Sequence, residues 1–358
     1  MVVKELYGKI VNIDIPEDVF PTNEEIDGID NLIPGCQHGF YKSVSTKDNC
    51  DEPVDLHYRY WLPSDIPRGI VIYNHGIHSH SAHASRIDGR ALDLALFVDT
   101  FLNMGLAVYA RDMYGHGLSE GTRFYIPSWT EARQDVINFC KLVADQHPKD
   151  IPLFISGESI GGNFSILVSR YFQDHPEDAP SNFDSSLLIC PAIEGDLPPF
   201  PVYQLLRYVL APLRPKWRPF FMPNPISPDR IWRDSKVCAE YTQPRRQESQ
   251  MDACGIPFRL GTAVGMVLAL EHVQKAAIPG YNKPFCIVHG DNDEGVPISG
   301  SKRLYGSSST PEDQKEFHTI PGAHHGLLAD PRAEEAIGHL AKFVETRIKA
   351  FTPPNSAK

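Results

Sequence analysis

Gly157-Glu158-Ser159-Ile160-Gly161-Gly162 stands where a short apolar run, Ile151 to Ser156, gives way to a segment of helical spacing that begins at Ile160. A serine with glycine two residues before and two after, at a strand-to-helix junction, predicts a sharp turn that lifts its hydroxyl above the sheet edge. The helix that follows aims its N-terminus at the same place, which makes the Ile160 amide an oxyanion donor. An ordinary glycine-rich turn has the same composition. The position between strand and helix is what favours a nucleophile.

Outward from this turn the chain keeps a regular beat. Val54 to Leu62 alternates as a strand, Gly69 to His75 is a β-branched run, Ala91 to Met104 has helical spacing, and Leu106 to Arg111 is again a strand. Trp129 to Gln146 and Ile160 to Phe172 read as helices, and Ser185 to Cys190 as a strand. Short, wholly apolar strands alternating with helices predict an α/β fold with a mostly parallel central sheet and helices on both faces. The beat breaks at Pro191 and resumes at Pro284, with a strand to His289, a helix near Ser301, a strand over Lys315 to Ile320 and a helix over Arg332 to Lys349. The proline-rich stretch 193–280 is too long for a loop and reads as an inserted subdomain. Residues 1–50 show little periodicity and read as an N-terminal extension.

A serine hydroxyl needs a base to take its proton and an acid to orient that base. Downstream, one strand ends in Gly290-Asp291-Asn292-Asp293-Glu294 and the next in Pro321-Gly322-Ala323-His324-His325-Gly326. Both loops leave the sheet on the side of Ser159, where open α/β sheets hold their ligands. Spacing leaves Asp291, Asp293 and Glu294 open as the acid, and His324 and His325 open as the base. Upstream, Asn74-His75-Gly76-Ile77 ends the first buried strand, where a second oxyanion amide, that of Ile77, is expected.

Composition narrows the function. The 358 residues are 42% hydrophobic and 22% charged, with a formal net charge of −11. That balance supports a large core and excludes a nucleic-acid binder that works by counterion release. No apolar run is long enough to span a bilayer. The N-terminus lacks a basic segment followed by an apolar one, so no secretory signal is read. Cys36, Cys50, Cys140, Cys190, Cys238, Cys254 and Cys286 are odd in number and never paired as Cys-x-x-Cys, which points to a reducing cytoplasm and neither a disulfide scaffold nor a zinc knuckle.

From about Val54 onward the chain resembles the α/β-hydrolases of the monoacylglycerol lipase and lysophospholipase type (serine aminopeptidase S33-like), most closely the plant-type branch that includes caffeoylshikimate esterases. Arg111-Asp112-Met113-Tyr114-Gly115-His116-Gly117-Leu118-Ser119-Glu120-Gly121 is similar to the family's Asp-x-x-Gly-His-Gly-x-Ser-x-Gly loop. His289-Gly290-Asp291-Asn292-Asp293 matches its His-Gly-x-x-Asp, and Pro321 to Leu328 matches its Pro-Gly-x-x-His-Gly-Leu-Leu. The resemblance implies the α/β-hydrolase fold, with core residues 51–192 and 281–358 and a helical cap over 193–280. It implies Ser159, Asp293 and His325 as a catalytic triad, with Ile77 and Ile160 as the oxyanion amides.

The implied activity is hydrolysis of a carboxylic ester, a monoacylglycerol or lysophospholipid, through an acyl-enzyme. Esters of aromatic acids, acyl transfer and a non-catalytic receptor are the alternatives; the receptor is disfavoured because no triad member is missing. His75, Gly76, Leu205, Trp217 and Phe221 are the expected substrate contacts. The partner is a small acyl ester, with no cofactor, no metal and no nucleic acid. Arg214, Lys216 and Arg218 beside Trp217, Phe220 and Phe221 suit brief contact of the cap with a membrane surface.

Three other patterns compete. His78, His80 and His83 have part of a metal-site spacing, but Ala82 stands where such sites place an Asp, so a polar loop over the site mouth is expected. Gly115-His-Gly117-Leu-Ser-Glu120 lacks the third glycine of a dinucleotide loop. His325 and Asp330 form a His-x4-Asp that overlaps the base loop and is read as incidental.

Overall fold

A computed structural model describes residues 21–47, 50–195, 199–219, 226–243 and 255–353. Its centre is an eight-stranded sheet built from β1 (Gln37–Thr46), β2 (Pro53–Trp61), β3 (Gly69–Asn74), β6 (Leu106–Arg111), β7 (Leu153–Glu158), β8 (Phe183–Ile189), β9 (Phe285–Gly290) and β10 (Lys315–Ile320). The strand order is β1-β2-β6-β3-β7-β8-β9-β10. β2 is antiparallel to both neighbours, and every pairing from β6 to β10 is parallel. A two-stranded hairpin, β4 (Ala84–Ile87) and β5 (Arg90–Asp93), lies outside this sheet, and a short helix, α1 (Asn23–Asp30), precedes β1.

The apolar strands divide their side chains between two cores. On β3, Ile70 and Ile72 join one cluster with Val136, Phe139, Phe164 and Val168 of α3 (Trp129–Asp145) and α4 (Ile160–Asp174). Val71 and Tyr73 join the opposite cluster with Phe97 and Phe101 of α2 (Leu94–Asn103). Leu340 and Phe343 of the last helix, Ala333–Ala350, complete that second layer. Period-2 alternation on strands buried on both faces yields this three-layer sandwich. Since the central strands run parallel, the ends of β3, β7, β9 and β10 all open on one edge of the sheet.

Two local expectations are corrected. Helical spacing from Ala91 gives way to strand β5, and the helix starts only at Leu94. Residues 37–46, read as part of an extension, form the edge strand of the main sheet. The buried face of β1 is Tyr41, Ser43 and Ser45, so its alternation is hidden from a hydrophobicity reading. The two serines are buried because α3 supplies acceptors: Ser43 Oγ donates to Asp135 Oδ2 at 2.7 Å, and Ser45 Oγ to Glu131 Oε2 at 2.7 Å. The described part of the stretch between β8 and β9 is helical, including Ser235–Tyr241 and Leu260–His272, and holds no strand among the described residues.

Candidate active site

Ser159 follows β7 directly and precedes α4, with φ 54° and ψ −120°. That conformation is unfavourable for any side chain and is sustained only by tight surroundings. The glycines supply them. A Cβ on Gly157 would lie 2.2 Å from the Gly161 carbonyl carbon, and one on Gly161 would lie 2.0 Å from the Asn74 carbonyl oxygen. Strand, turn and helix therefore pack backbone against backbone, and the Ser159 amide donates to Ile189 O at 3.0 Å.

His325 leaves the end of β10 and Asp293 the end of β9. His325 Nδ1 donates to Asp293 Oδ2 at 2.7 Å, and both side chains are buried. The other carboxylate oxygen, Oδ1, accepts the Gly295 and Val296 amides at 2.8 and 2.7 Å. Burial alone would raise the Asp293 pKa, but His325 and His289 outweigh it and hold the carboxyl far below the usual range. Burial pulls the His325 imidazole down, yet the Asp293 charge and hydrogen bond, helped by Glu158, leave it above the ordinary histidine value. Ser159 and His325 line one cleft together with Gly76, Ile77, Ile226 and Trp232.

The rival residues lie elsewhere. Asp291 Oδ1 accepts the Gly322 amide at 2.5 Å and so ties the two loops together. Glu294 faces Arg230 at 3.9 Å, and His324 Nε2 meets Asn292 Nδ2 at 2.8 Å.

His75 is buried and its pKa is pushed down to about 3, chiefly by burial, so its ring is neutral. Nε2 accepts the Met113 amide at 3.0 Å, which leaves the proton on Nδ1, donated to Gly76 O at 2.6 Å. In a trans peptide, a carbonyl drawn toward His75 sends the Ile77 N–H the opposite way. Among the described residues neither the Ile77 nor the Ile160 amide donates to a protein acceptor. A Cβ on Gly76 would stand 3.4 Å from Ser159 Cβ, so the two segments meet at the serine.

Leu205 and Trp217 are not brought to this cleft. Leu205 is 51% exposed because the adjacent Leu206 takes the inward position against Leu260. Trp217 lines a separate surface hollow with Leu213 and Lys216. Phe221 lies outside the described residues, as does Phe220. Ile226, Ile231 and Trp232 line the cleft instead. No periodic pattern marks that segment.

In the histidine-rich loop His80 and His83 meet edge to face with ring centroids 5.9 Å apart, while His78 packs against Phe258. His78 is buried with its ring centroid 4.9 Å from that of Phe258, and His83 stacks on Tyr241 at 4.4 Å. His80 Nδ1 accepts the Ala82 amide at 3.1 Å. The Asp112 carboxylate stabilises the neighbouring loop by accepting the Ser81 and Leu118 amides at 2.5 and 2.9 Å. Two groups at the site carried no separate signal: Glu158, which accepts from Tyr73 Oη at 2.8 Å, and His289, whose Nε2 lies 3.1 Å from Asp293 Oδ2.

Comparison with known proteins agrees with this architecture. The Hydrolase_4 family (serine aminopeptidase, S33) matches residues 65–332. The monoacylglycerol lipase of Mycolicibacterium smegmatis is 25% identical over 296 residues, covering 82% of this chain and 94% of that protein. The monoglyceride lipase of Rattus norvegicus is 28% identical, covering 79% of this chain and 84% of the relative. The caffeoylshikimate esterase of Arabidopsis thaliana is 28% identical over 70% of this chain and 73% of its own length. Among solved structures, the monoacylglycerol lipase of Paleococcus ferrophilus superposes with a TM-score of 0.64 at 18% identity, covering 82% of this chain and 99% of its own. The strand order, the turn at Ser159 and a family match over most of the chain lead to one assignment: this chain belongs to the Hydrolase_4 (serine aminopeptidase, S33) family of α/β hydrolases.

Proposed function

We propose that this chain is a serine carboxylic-ester hydrolase that acts on monoacylglycerols or similar lipid esters. Ser159 is the nucleophile, His325 the base and Asp293 the residue that orients it. The observation that carries this reading is the pairing of His325 Nδ1 with buried Asp293 beside a serine in a strained turn, with Ser159 and His325 lining one cleft. His325 Nε2 takes the Ser159 proton as Oγ attacks the ester carbonyl. The Ile77 and Ile160 amides bind the oxyanion, and the protonated imidazole gives its proton to the leaving alcohol. Water then attacks the acyl-enzyme by the same steps and frees the acid.

The lipid assignment rests on the monoacylglycerol and monoglyceride lipases among the relatives and on the apolar wall formed by Ile77, Ile226, Ile231 and Trp232. Residues 193–280 act as the cap in this proposal. Their described part exposes Phe200, Leu205, Tyr208 and Leu213, close in sequence to Arg207, Arg214 and Lys216. Such a surface suits brief contact of a cytoplasmic enzyme with anionic lipid.

Initial hydrolysis rates on monoacylglycerols of several chain lengths, lysophosphatidylcholine and a caffeoyl ester, with Ser159→Ala as blank, test the substrate. A preference for one monoacylglycerol supports the proposal. Preference for the caffeoyl ester overturns the lipid assignment and leaves the ester chemistry.

A further inference from the structure

A second cluster of reactive side chains lies on the far side of the Asp112 loop, where the segment before β1 meets β2. Cys36 Sγ is 3.9 Å from Asp30 Oδ1 and 3.9 Å from His38 Nε2, and His38 Nε2 is 2.8 Å from Asp30 Oδ2. Thiolate, imidazole and carboxylate are the three ligand types of zinc, and a tetrahedral zinc ion separates such ligand atoms by about 3.3–3.6 Å. One donor atom of each residue lies within 4.8 Å of the other two, so side-chain shifts of up to about an ångström meet that requirement. His38 is one-third exposed, with 34% of its side-chain surface accessible, which leaves a fourth position to water.

The surroundings are those of a metal ligand set. His38 Nδ1 lies 2.8 Å from His57 Nε2, and His57 Nδ1 lies 2.7 Å from Asp112 Oδ2. Arg59 Nε holds the other Asp30 oxygen at 2.8 Å, which fixes the carboxylate. Metal-bound histidines characteristically pass their second N–H to such a buried carboxylate relay.

Three contacts, Asp112–His57, His57–His38 and His38–Asp30, each require one proton, whereas two neutral imidazoles supply two. A cation on His38 Nε2 takes the place of the third proton, and both rings are then neutral with every nitrogen partnered. The charges also close: zinc is balanced by the Cys36 thiolate and Asp30, and Arg59 by Asp112.

We propose that Asp30, Cys36 and His38 form a zinc site that fastens the N-terminal segment to the sheet. On binding, Zn²⁺ displaces the Cys36 thiol proton and the proton on His38 Nε2, and both pass to solvent. Through His57 and Asp112 the site also braces the loop that carries Ser81.

The test uses the full chain stripped with EDTA and titrated with Co²⁺ alone, then Zn²⁺. The expected result is one equivalent of Co²⁺ with a thiolate-to-metal charge-transfer band and tetrahedral d–d bands, bleached by Zn²⁺. Cys36→Ser should remove the charge-transfer band and His57→Gln should weaken binding about 10–100-fold. Cys50→Ser and Ser159→Ala should leave both unchanged, which separates this site from the catalytic proposal. Wild-type protein without a thiolate band, or a band that survives Cys36→Ser, overturns it. Should Cys36→Ser fail to fold, mapped alkylation of the wild type decides: Zn²⁺ must protect Cys36, and unprotected Cys36 contradicts the site.

Discussion

His289 Nε2 approaches Asp293 Oδ2 at 3.1 Å, the same oxygen that His325 Nδ1 reaches at 2.7 Å. That nitrogen also faces Val296 O at 3.2 Å, and Nδ1 faces Ser301 Oγ at 2.8 Å. Two acceptors at Nε2 fix the proton there, so Ser301 donates to Nδ1. Asp293 thus accepts hydrogen bonds from Gly295, Val296 and His325, with the His289 N–H directed between Val296 O and Oδ2, and its negative charge is held in one orientation.

Removing one of these donors should weaken that hold. His289→Leu should lower kcat by about 10–100-fold, the equivalent of one lost hydrogen bond to a charge, about 1.5–3 kcal/mol. His289→Gln, which keeps a donor, should recover part of the loss, with KM unchanged in both. An unchanged kcat in His289→Leu would show that His289 serves packing alone.

Ser159 sits in a backbone region that glycine tolerates and serine does not. Ser159→Gly should therefore stabilise the fold by about 1 kcal/mol, read as a rise in Tm, while abolishing turnover. A fall in Tm would mean that the hydroxyl contributes to stability more than the strain subtracts.

The His325 pKa lies above its ordinary value. Since only the neutral ring accepts the Ser159 proton, kcat/KM should fall on the acid side with a midpoint above about 6.5. Asp293, held well below the carboxylate range, stays ionised throughout. The stability linkage has the opposite sense. A raised folded pKa stabilises the fold below the unfolded value and the gain is lost as pH rises through the folded pKa. The His325–Asp293 pair should thus add most stability where the enzyme is least active. Activity unchanged down to pH about 5 would contradict the assignment of His325 as base.

Asp135 anchors the edge strand by accepting Ser43 Oγ at 2.7 Å and the Val44 amide at 2.8 Å. Asp135→Leu leaves both donors without this partner and should cost about 2–4 kcal/mol in urea unfolding, with kcat retained in the folded fraction. A change under 0.5 kcal/mol would mean that β1 is held by its pairing with β2 alone.

Contact with lipid is tested at Arg214 and Lys216. Reversing both to Glu should reduce flotation with vesicles of phosphatidylcholine and phosphatidylserine by more than about tenfold, since each basic residue near such a surface contributes about 1 kcal/mol. Unaltered flotation would remove the membrane role of this segment.

The sequence was legible where chemistry and periodicity coincide. The glycines around Ser159 and the apolar strands β3, β6, β7 and β9 carry their own physical reasons. β1 was not legible, because Ser43 and Ser45 are buried only through acceptors 86 and 92 residues away. The cleft wall was not legible either: Ile231 and Trp232 stand at the end of a four-residue helix, Pro228–Ile231, too short to show a period, whereas the conspicuous apolar residues Leu205 and Trp217 remain exposed. His289 was visible as part of a motif, but its bond to Asp293 depends on how the loop after β9 folds back, which no local pattern encodes.

The central claim is that Ser159 becomes acylated. It is tested most directly by treating the full chain with a long-chain alkyl fluorophosphonate and mapping the adduct by peptide mass spectrometry. The account predicts one adduct, on Ser159, slowed at least about a hundredfold in His325→Ala and absent in Ser159→Ala. An adduct on another residue, or labelling that is independent of His325, would contradict it.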